Sequence, residues 1–318
     1  SISYAGHIAA EKHGLTWISV VLSPIAFLSA YDMPVLPGVV VPSLPGKLGL
    51  IVNRLLINII KTGTRRWCQP VLRLRAELNL ASGKHPLFEG QYSPELVLAM
   101  FSKVLARSYP DWPPQSRITG YGFYDNTGID GDLSPRLKRF LTNGTPPIVF
   151  ALGSVAVYAA GDFFRIAVKA VVQLKRRAVM VVGQDTDNLP HNGLPQDMIA
   201  VDYAPYSKLF PEAAAIVHQG GIGTTGQALQ AGKPTLVVPF AHDQPDNARR
   251  LERLGISQTL PFKRCSVRGM VRALKVLTEN QSFSARAAMI GQKVRTENGV
   301  AAACVAIEAL LCTKLNDC

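Results

Sequence analysis

From Ile148 onward, short apolar runs alternate with helix-spaced segments, and that alternation leaves few folds open to the chain. PIVFALGS (147–154), AVMVVGQ (178–184), DMIAVDYAP (197–205), AAAIV (213–217) and TLVVPF (235–240) each read as a strand bounded by Gly, Pro or a polar turn. Between them, Asp162–Arg177, SKLFP (207–211), TTGQALQ (224–230), Gln244–Leu254 and Val267–Leu277 carry helical spacing. Strands that are apolar along their whole length and separated by helices predict a parallel sheet covered on both faces. Such a sheet binds its ligand at the carboxyl ends of its strands. Gly153-Ser154 and His218–Thr225 both fall there.

The second of these loops is unusual. HQGGIGTTG (218–226) holds four glycines in nine residues, and Gly232 and Pro234 stop the helix that follows it. Glycines let a ligand approach the backbone closely. Amides gathered at a helix start suit an anion, most often a phosphate. A lone glycine loop is often only a structural turn; here a histidine stands directly before it at a strand end, and Asp243-Gln244 follows the next strand.

Upstream of Pro146 the texture differs. TWISVVL (16–22) and ELVLAMFS (95–102) read as two sheet strands, and 48–80 carries helical spacing between them. Pro and Gly cluster at 34–49 and 110–122. Turn formers crowd GYGFYDNTGIDGDLSP, which places a domain boundary within 120–146. The first residues read as the tail of a helix, so 1–130 is expected to be the later part of a domain and 131–318 a complete second one.

Composition excludes several classes. With 47% hydrophobic residues the chain of 318 can fill full cores, so long-range disorder is excluded. The five cysteines, Cys68, Cys265, Cys304, Cys312 and Cys318, form no CxxC pair, which indicates neither a disulfide framework nor a zinc site and favours a reducing, cytoplasmic setting. His13 to Tyr31 lacks Asp, Glu, Lys and Arg, yet Ser19, Ser23 and Pro24 interrupt it; a strand running into a loop fits better than a membrane span. The formal net charge is +12, which calls for an anionic partner. The preferred reading is an anionic small ligand, and no nucleic-acid motif accompanies the charge. Residues 47–75 are both basic and amphipathic. They read either as an ordinary helix pair with a solvated basic face, which is preferred, or as a peripheral contact with an anionic membrane.

HQGGIGTTGQALQAGKPTLVVPFAHDQPDNARRLERLG (218–255) closely resembles the donor-binding signature of family 1 glycosyltransferases of the GT-B fold, in particular bacterial members with an HHGGAGTT-type loop that act on sterols, lipids, antibiotics and flavonoid-like molecules. VDYAPYSKLFP (201–211) resembles the family's base-binding loop, ALGS (151–154) its first C-terminal strand-turn, and PDWPPQSRITGYGFYD (110–125) its passage between domains. The resemblance implies an α/β fold of two Rossmann-like domains facing a cleft, the N-terminal one incomplete here. It implies transfer of a sugar from a UDP- or dTDP-sugar to a hydroxyl of a lipophilic acceptor, inverting, with no metal and no other cofactor. His218, Gly220, Gly221, Gly223, Thr224 and Thr225 would hold the diphosphate. Asp243 and Gln244 would read the sugar, and Ser154, Tyr203, Ala204 and Pro205 would frame base and ribose.

Three departures stand out. Many relatives have His where Gln219 stands, and a carboxylate that often holds the ribose has no counterpart near Gly226-Gln227. The family's opening strand, glycine loop and base histidine have no match in residues 1–30, so the role of base passes to neither His7 nor His13. A chain lacking that base would be a donor-binding partner subunit rather than a working transferase, needing a missing N-terminal fragment or self-associating through its open sheet edge.

Overall fold

The computed structural model describes residues 4–35, 46–124, 131–184, 188–189 and 193–316. It divides into two compact units, 1–122 with 297–318, and 123–296. The boundary expected at 130/131 abuts residues 125–130, which lie outside the described residues, as does Cys318.

The second unit is the doubly wound sheet anticipated above. Its strands are β4 (Ile148–Ala151), β5 (Ala178–Val181), β6 (Met198–Val201), β7 (Ala215–His218), β8 (Thr235–Val237) and β9 (Ser257–Thr259), parallel in the order β6-β5-β4-β7-β8-β9. Because side chains alternate across a strand, β4 feeds two cores. Ile148 and Phe150 join one with Phe163 and Phe164 of α6 (Phe163–Leu174) and with Met270, Leu274 and Leu277 of α10 (Val267–Glu279). Val149 and Ala151 join the other, with Leu137 of α4 (Pro135–Thr142), Leu209 of α7 (Tyr206–Leu209) and Ala228 of α8 (Ile222–Ala231). Burial on both faces explains why these strands read as unbroken apolar runs.

Helix ends follow local chemistry. Ser134 Oγ accepts from the Leu137 amide at 3.3 Å to start α4, and Ser266 Oγ accepts from Gly269 at 3.2 Å to start α10. Gly232, at φ 68, closes α8 in the left-handed region. Helices α5 (Gly153–Ala156), α9 (Gln244–Arg253) and α11 (Gln281–Arg295) complete the unit.

The first unit has a three-stranded parallel sheet, β1 (Ile18–Val21), β2 (Leu96–Ala99) and β3 (Ser116–Ile118), in that order. β3 was not anticipated. Its three residues SRI are only partly buried and lack the apolar run that betrays a strand. Around the sheet stand α1 (Ala5–Lys12), α2 (Gly46–Thr64), α3 (Gln69–Glu77) and α12 (Gly299–Asn316). Leu96 and Leu98 of β2 pack on Ala303, Ala306, Ile307 and Leu310 of α12, and this packing places 297–318 in the first unit. Residues 297–318 of the expected second domain, 131–318, thus pack with the first unit. Phe27 stacks on Trp112 with ring centroids 4.0 Å apart, centring an aromatic cluster with Tyr92 and Phe101. The charge-free stretch 13–31 forms β1, a 3-10 turn at Pro24–Phe27 and the loops that join them.

Candidate functional site

In the second unit, chain order reverses between β4 and its neighbour β7, since β5 and β6 run outward on one side and β8 and β9 on the other. Ligands of open parallel sheets bind in the crevice this leaves at the strand ends. Ala151 pairs with His218, so the chain after β4, where a short helix starting at Gly153 stands in place of the expected Gly-Ser turn, and the glycine loop leave the sheet side by side.

His218 ends β7 and is fully buried. The Gly220 amide donates to its Nδ1 at 3.1 Å. Nδ1 is therefore the unprotonated nitrogen, and the proton of the neutral ring sits on Nε2. Burial pushes the His218 pKa down to about 3, so the ring is neutral at physiological pH. Nε2 is buried with no hydrogen-bond partner among the described residues, and Gln219 Oε1 and Thr225 Oγ1 share that condition. A buried donor left unmatched is costly, which is a reason to look for a ligand there.

Gly220 has φ +89, and a Cβ there would meet Val237 Cγ1 at 2.7 Å and the Gln244 carbonyl at 3.0 Å. No other residue type fits. Gly221 starts α8 with no side-chain cap, leaving the first-turn amides without a protein partner from a cap. Gly223 faces open space, because nothing lies within 4 Å of where its Cβ would be. Opposite, Gly153 (φ +71) would place a Cβ 2.5 Å from Gln219 Nε2 and 3.4 Å from Thr224 Oγ1. The Gln219 carboxamide also lies 2.8 Å from the Cβ position of Gly221, so it fills the gap between the two turns. Thr224 and Thr225 are buried under the loop, whereas Ser154 is exposed.

The loop after β6 brings exposed Tyr203 and buried Ala204 and Pro205 to the same end of the sheet. Tyr206 stacks on Phe210 at 4.4 Å, and its phenol oxygen meets the Gly153 backbone N–H, which ties this loop to the end of β4. Burial raises its phenol pKa to about 12.

Asp243 and Gln244 stand at the start of α9. The Gln244 Oε1 accepts from the Phe240 and Ala241 amides at 2.7 and 3.1 Å, so its oxygen braces its own loop and its NH2 is the part left for a ligand. Asp243 Oδ2 accepts from Asn247 Nδ2 at 2.8 Å, and the same nitrogen donates to the Gly220 carbonyl at 2.9 Å. Asn247 was missed in the sequence. Its position four residues after Asp243 on a helix, hence on the same face, is the signal that could have found it. His242, at φ 57, turns the chain into Asp243. Among the described residues, a separate cavity of about 960 Å³ lies wholly in the first unit, beside Trp17, Ile57 and Trp112, and holds none of these groups.

With this geometry in view, the likeness to known proteins is specific. Residues 166–307 match the family profile "Erythromycin biosynthesis protein CIII-like, C-terminal domain". The chain is 36% identical over 217 residues to O-mycaminosyltylonolide 6-deoxyallosyltransferase of Streptomyces fradiae, covering 68% of this chain and 50% of that protein. It is 32% identical over 209 residues to a sterol 3-beta-glucosyltransferase of Yarrowia lipolytica, covering 63% of this chain and 14% of that one. The chain thus spans half the length of the first relative and far less of the second. In structure it resembles the kitacinnamycin glycotransferase, with a TM-score of 0.74 at 17% identity over 97% of this chain and 74% of that one. It also resembles the glycosyltransferase VinC, solved in complex with dTDP, with a TM-score of 0.64 at 20% identity over 96% and 69%. The histidine, the glycine loop, the two-sided parallel sheet and these likenesses agree: the chain belongs to the family 1 glycosyltransferases of the GT-B fold.

Proposed function

We propose that the second unit binds a nucleoside-diphosphate sugar, UDP- or dTDP-linked, and that the whole protein transfers its sugar with inversion to a hydroxyl of a lipophilic small molecule. The observation that carries this reading is the convergence at one crevice of a buried, unmatched His218 Nε2–H and the uncapped first turn of α8. Both offer hydrogen-bond donors to an anion without adding a formal charge. The open space at Gly223 lets the diphosphate lie against the backbone, while Gly220 and Gly221 shape the loop, the Gly220 amide being held by His218 Nδ1; the hydroxyls of Thr224 and Thr225 lie beneath it. Tyr203, Ala204 and Pro205 flank the base, and Ser154 the ribose or sugar.

In the transfer, the acceptor oxygen attacks the anomeric carbon from the face opposite the phosphate. The glycosidic C–O bond breaks and its electron pair passes to the departing diphosphate. Preorganised amides and His218 meet that growing charge, so no metal is needed for this role; one such donor is worth about 10²–10³-fold in rate. Asp243 and the Gln244 NH2 would hold sugar hydroxyls. The acceptor's proton goes to a base separate from these groups, since the ones named act as donors or hold the sugar.

Calorimetric titration of the chain with UDP and with dTDP tests the donor assignment. Binding of either that His218→Ala weakens about 10- to 100-fold is expected for one hydrogen bond to a charged group. Unchanged affinity in a folded variant rules the assignment out.

A further inference from the structure

The first unit carries a surface that donor binding leaves unexplained. On α2, Leu48, Ile51, Leu55 and Ile59 are 58–62% exposed and recur at i, i+3, i+7 and i+11, which is a single stripe along the helix. The helix is not loose. Its other side is anchored: Ile57 is buried, Asn53 Nδ2 donates to the Ala30 carbonyl at 2.9 Å, and Lys61 pairs with Glu89. The apolar stripe is therefore held outward by the fold. Just past the helix, in the turn Arg65–Cys68, Trp67 is 75% exposed.

Positive charge crowds the same segment. No acidic residue occurs between Asp32 and Glu77, and Lys47, Arg54, Arg65, Arg66 and Arg73 are all exposed. Arg75, by contrast, is buried against Glu11 at 2.7 Å and belongs to the fold. A merely solvated basic face would carry polar residues between its cations; this one carries Leu and Ile. A second copy docking the same face would set cations against cations, which disfavours it. We propose that α2 and the Arg65–Cys68 turn form a docking surface for an anionic lipid bilayer. The helix lies in the headgroup plane, with the aliphatic stripe and Trp67 in the acyl boundary and the cations on the anionic headgroups. The proposal stands independently of the donor site.

Sedimentation with lipid vesicles tests it on the full chain. Vesicles of phosphatidylcholine with about one-third phosphatidylserine should carry the protein down at low salt; phosphatidylcholine alone should bind at least about tenfold less, because each Lys or Arg near an anionic surface adds about fivefold. The Arg65→Gln/Arg66→Gln protein should lose about 25-fold on the anionic vesicles by the same arithmetic. Leu55→Glu/Ile59→Glu should lose binding while its thermal midpoint and circular dichroism stay those of the parent, since both residues face outward. Vesicles should shift the indole fluorescence to the blue, and Trp67→Phe should remove that shift. Equal binding to both vesicle types, no binding to either, or a dimer that Leu55→Glu/Ile59→Glu dissociates would overturn the proposal.

Discussion

The Asn247 side-chain amide donates at once to the Gly220 carbonyl at 2.9 Å and to the Asp243 carboxylate at 2.8 Å. One buried nitrogen thereby sets the position of the glycine loop relative to the residues proposed to read the sugar. Helix α9 is thus more than a cover for the sheet: it carries the strut between two halves of the proposed donor site.

Replacing Asn247 should therefore cost both stability and ligand. In Asn247→Leu the Gly220 carbonyl loses this donor, a cost of about 1–3 kcal/mol in a buried setting. Affinity for UDP or dTDP should fall as well, because the loop amides lose their register. Chemical denaturation and calorimetry on the same sample check the two effects. A destabilised variant that binds diphosphate as tightly as the parent would show that Asn247 serves the fold alone.

The glycines of the loop should differ sharply from one another. Gly220→Ala forces a Cβ against Val237 and the Gln244 backbone at positive φ, and should destabilise the protein by at least about 1 kcal/mol. Gly223→Ala meets nothing within 4 Å and, on a helix, should leave stability unchanged or raise it by up to about 1 kcal/mol. If the open space at Gly223 is where the diphosphate lies, the added methyl should nevertheless weaken binding. Thermal midpoints and nucleotide titrations of the two variants give four numbers, and parallel behaviour of the pair would contradict this assignment.

These contrasts mark the limit of what the residues reveal by themselves. The parallel sheet of the second unit was legible because β4, β5 and β7 are buried on both faces, which writes burial into the sequence as continuous apolar runs. The loop was legible because glycine is the one residue that tolerates the backbone at Gly220. β3 and β9 were not legible, since SRI and SQT are short and partly exposed and take their strand geometry from a neighbour. The attachment of α12 to the first unit depends on packing against β2, a pairing about two hundred residues apart that local periodicity does not encode. The division of labour within Gln244 was hidden for the same reason: its oxygen is spent on amides three and four residues back, which only the fold of that loop reveals.

Gln244 can be dissected by a nearly isosteric change. Gln244→Glu keeps an oxygen for the Phe240 and Ala241 amides and removes the NH2 proposed for the sugar. Stability should hold, while affinity for the intact nucleotide sugar falls by about tenfold, the worth of one neutral hydrogen bond. Affinity for the free diphosphate should change little. Asp243→Ala should show the same selectivity. Equal losses for both ligands would reassign the pair to bracing the loop.

The last prediction concerns pH and the state of His218. Burial holds its pKa at about 3 in the folded protein, against 6.5 for the ordinary group. Between those values the unfolded chain takes up a proton that the folded chain refuses. The stability contributed by keeping the ring neutral is thus fully present above about pH 6.5 and is lost as pH falls toward 3, by about 1.4 kcal/mol for each unit. Other histidines and carboxylates titrate in the same range, so the comparison with His218→Gln isolates this one ring. Urea denaturation at about pH 7 and about pH 5 should show the parent losing about 2 kcal/mol more than the variant. The variant also separates proton chemistry from donation, because a glutamine offers a neutral N–H without titrating. If its NH2 reaches the same place as Nε2–H, diphosphate binding should survive in part while the pH dependence disappears. Identical slopes for the two proteins would mean that the ring charges in the folded state, and the neutral Nε2–H donor on which the donor site rests would have to be abandoned.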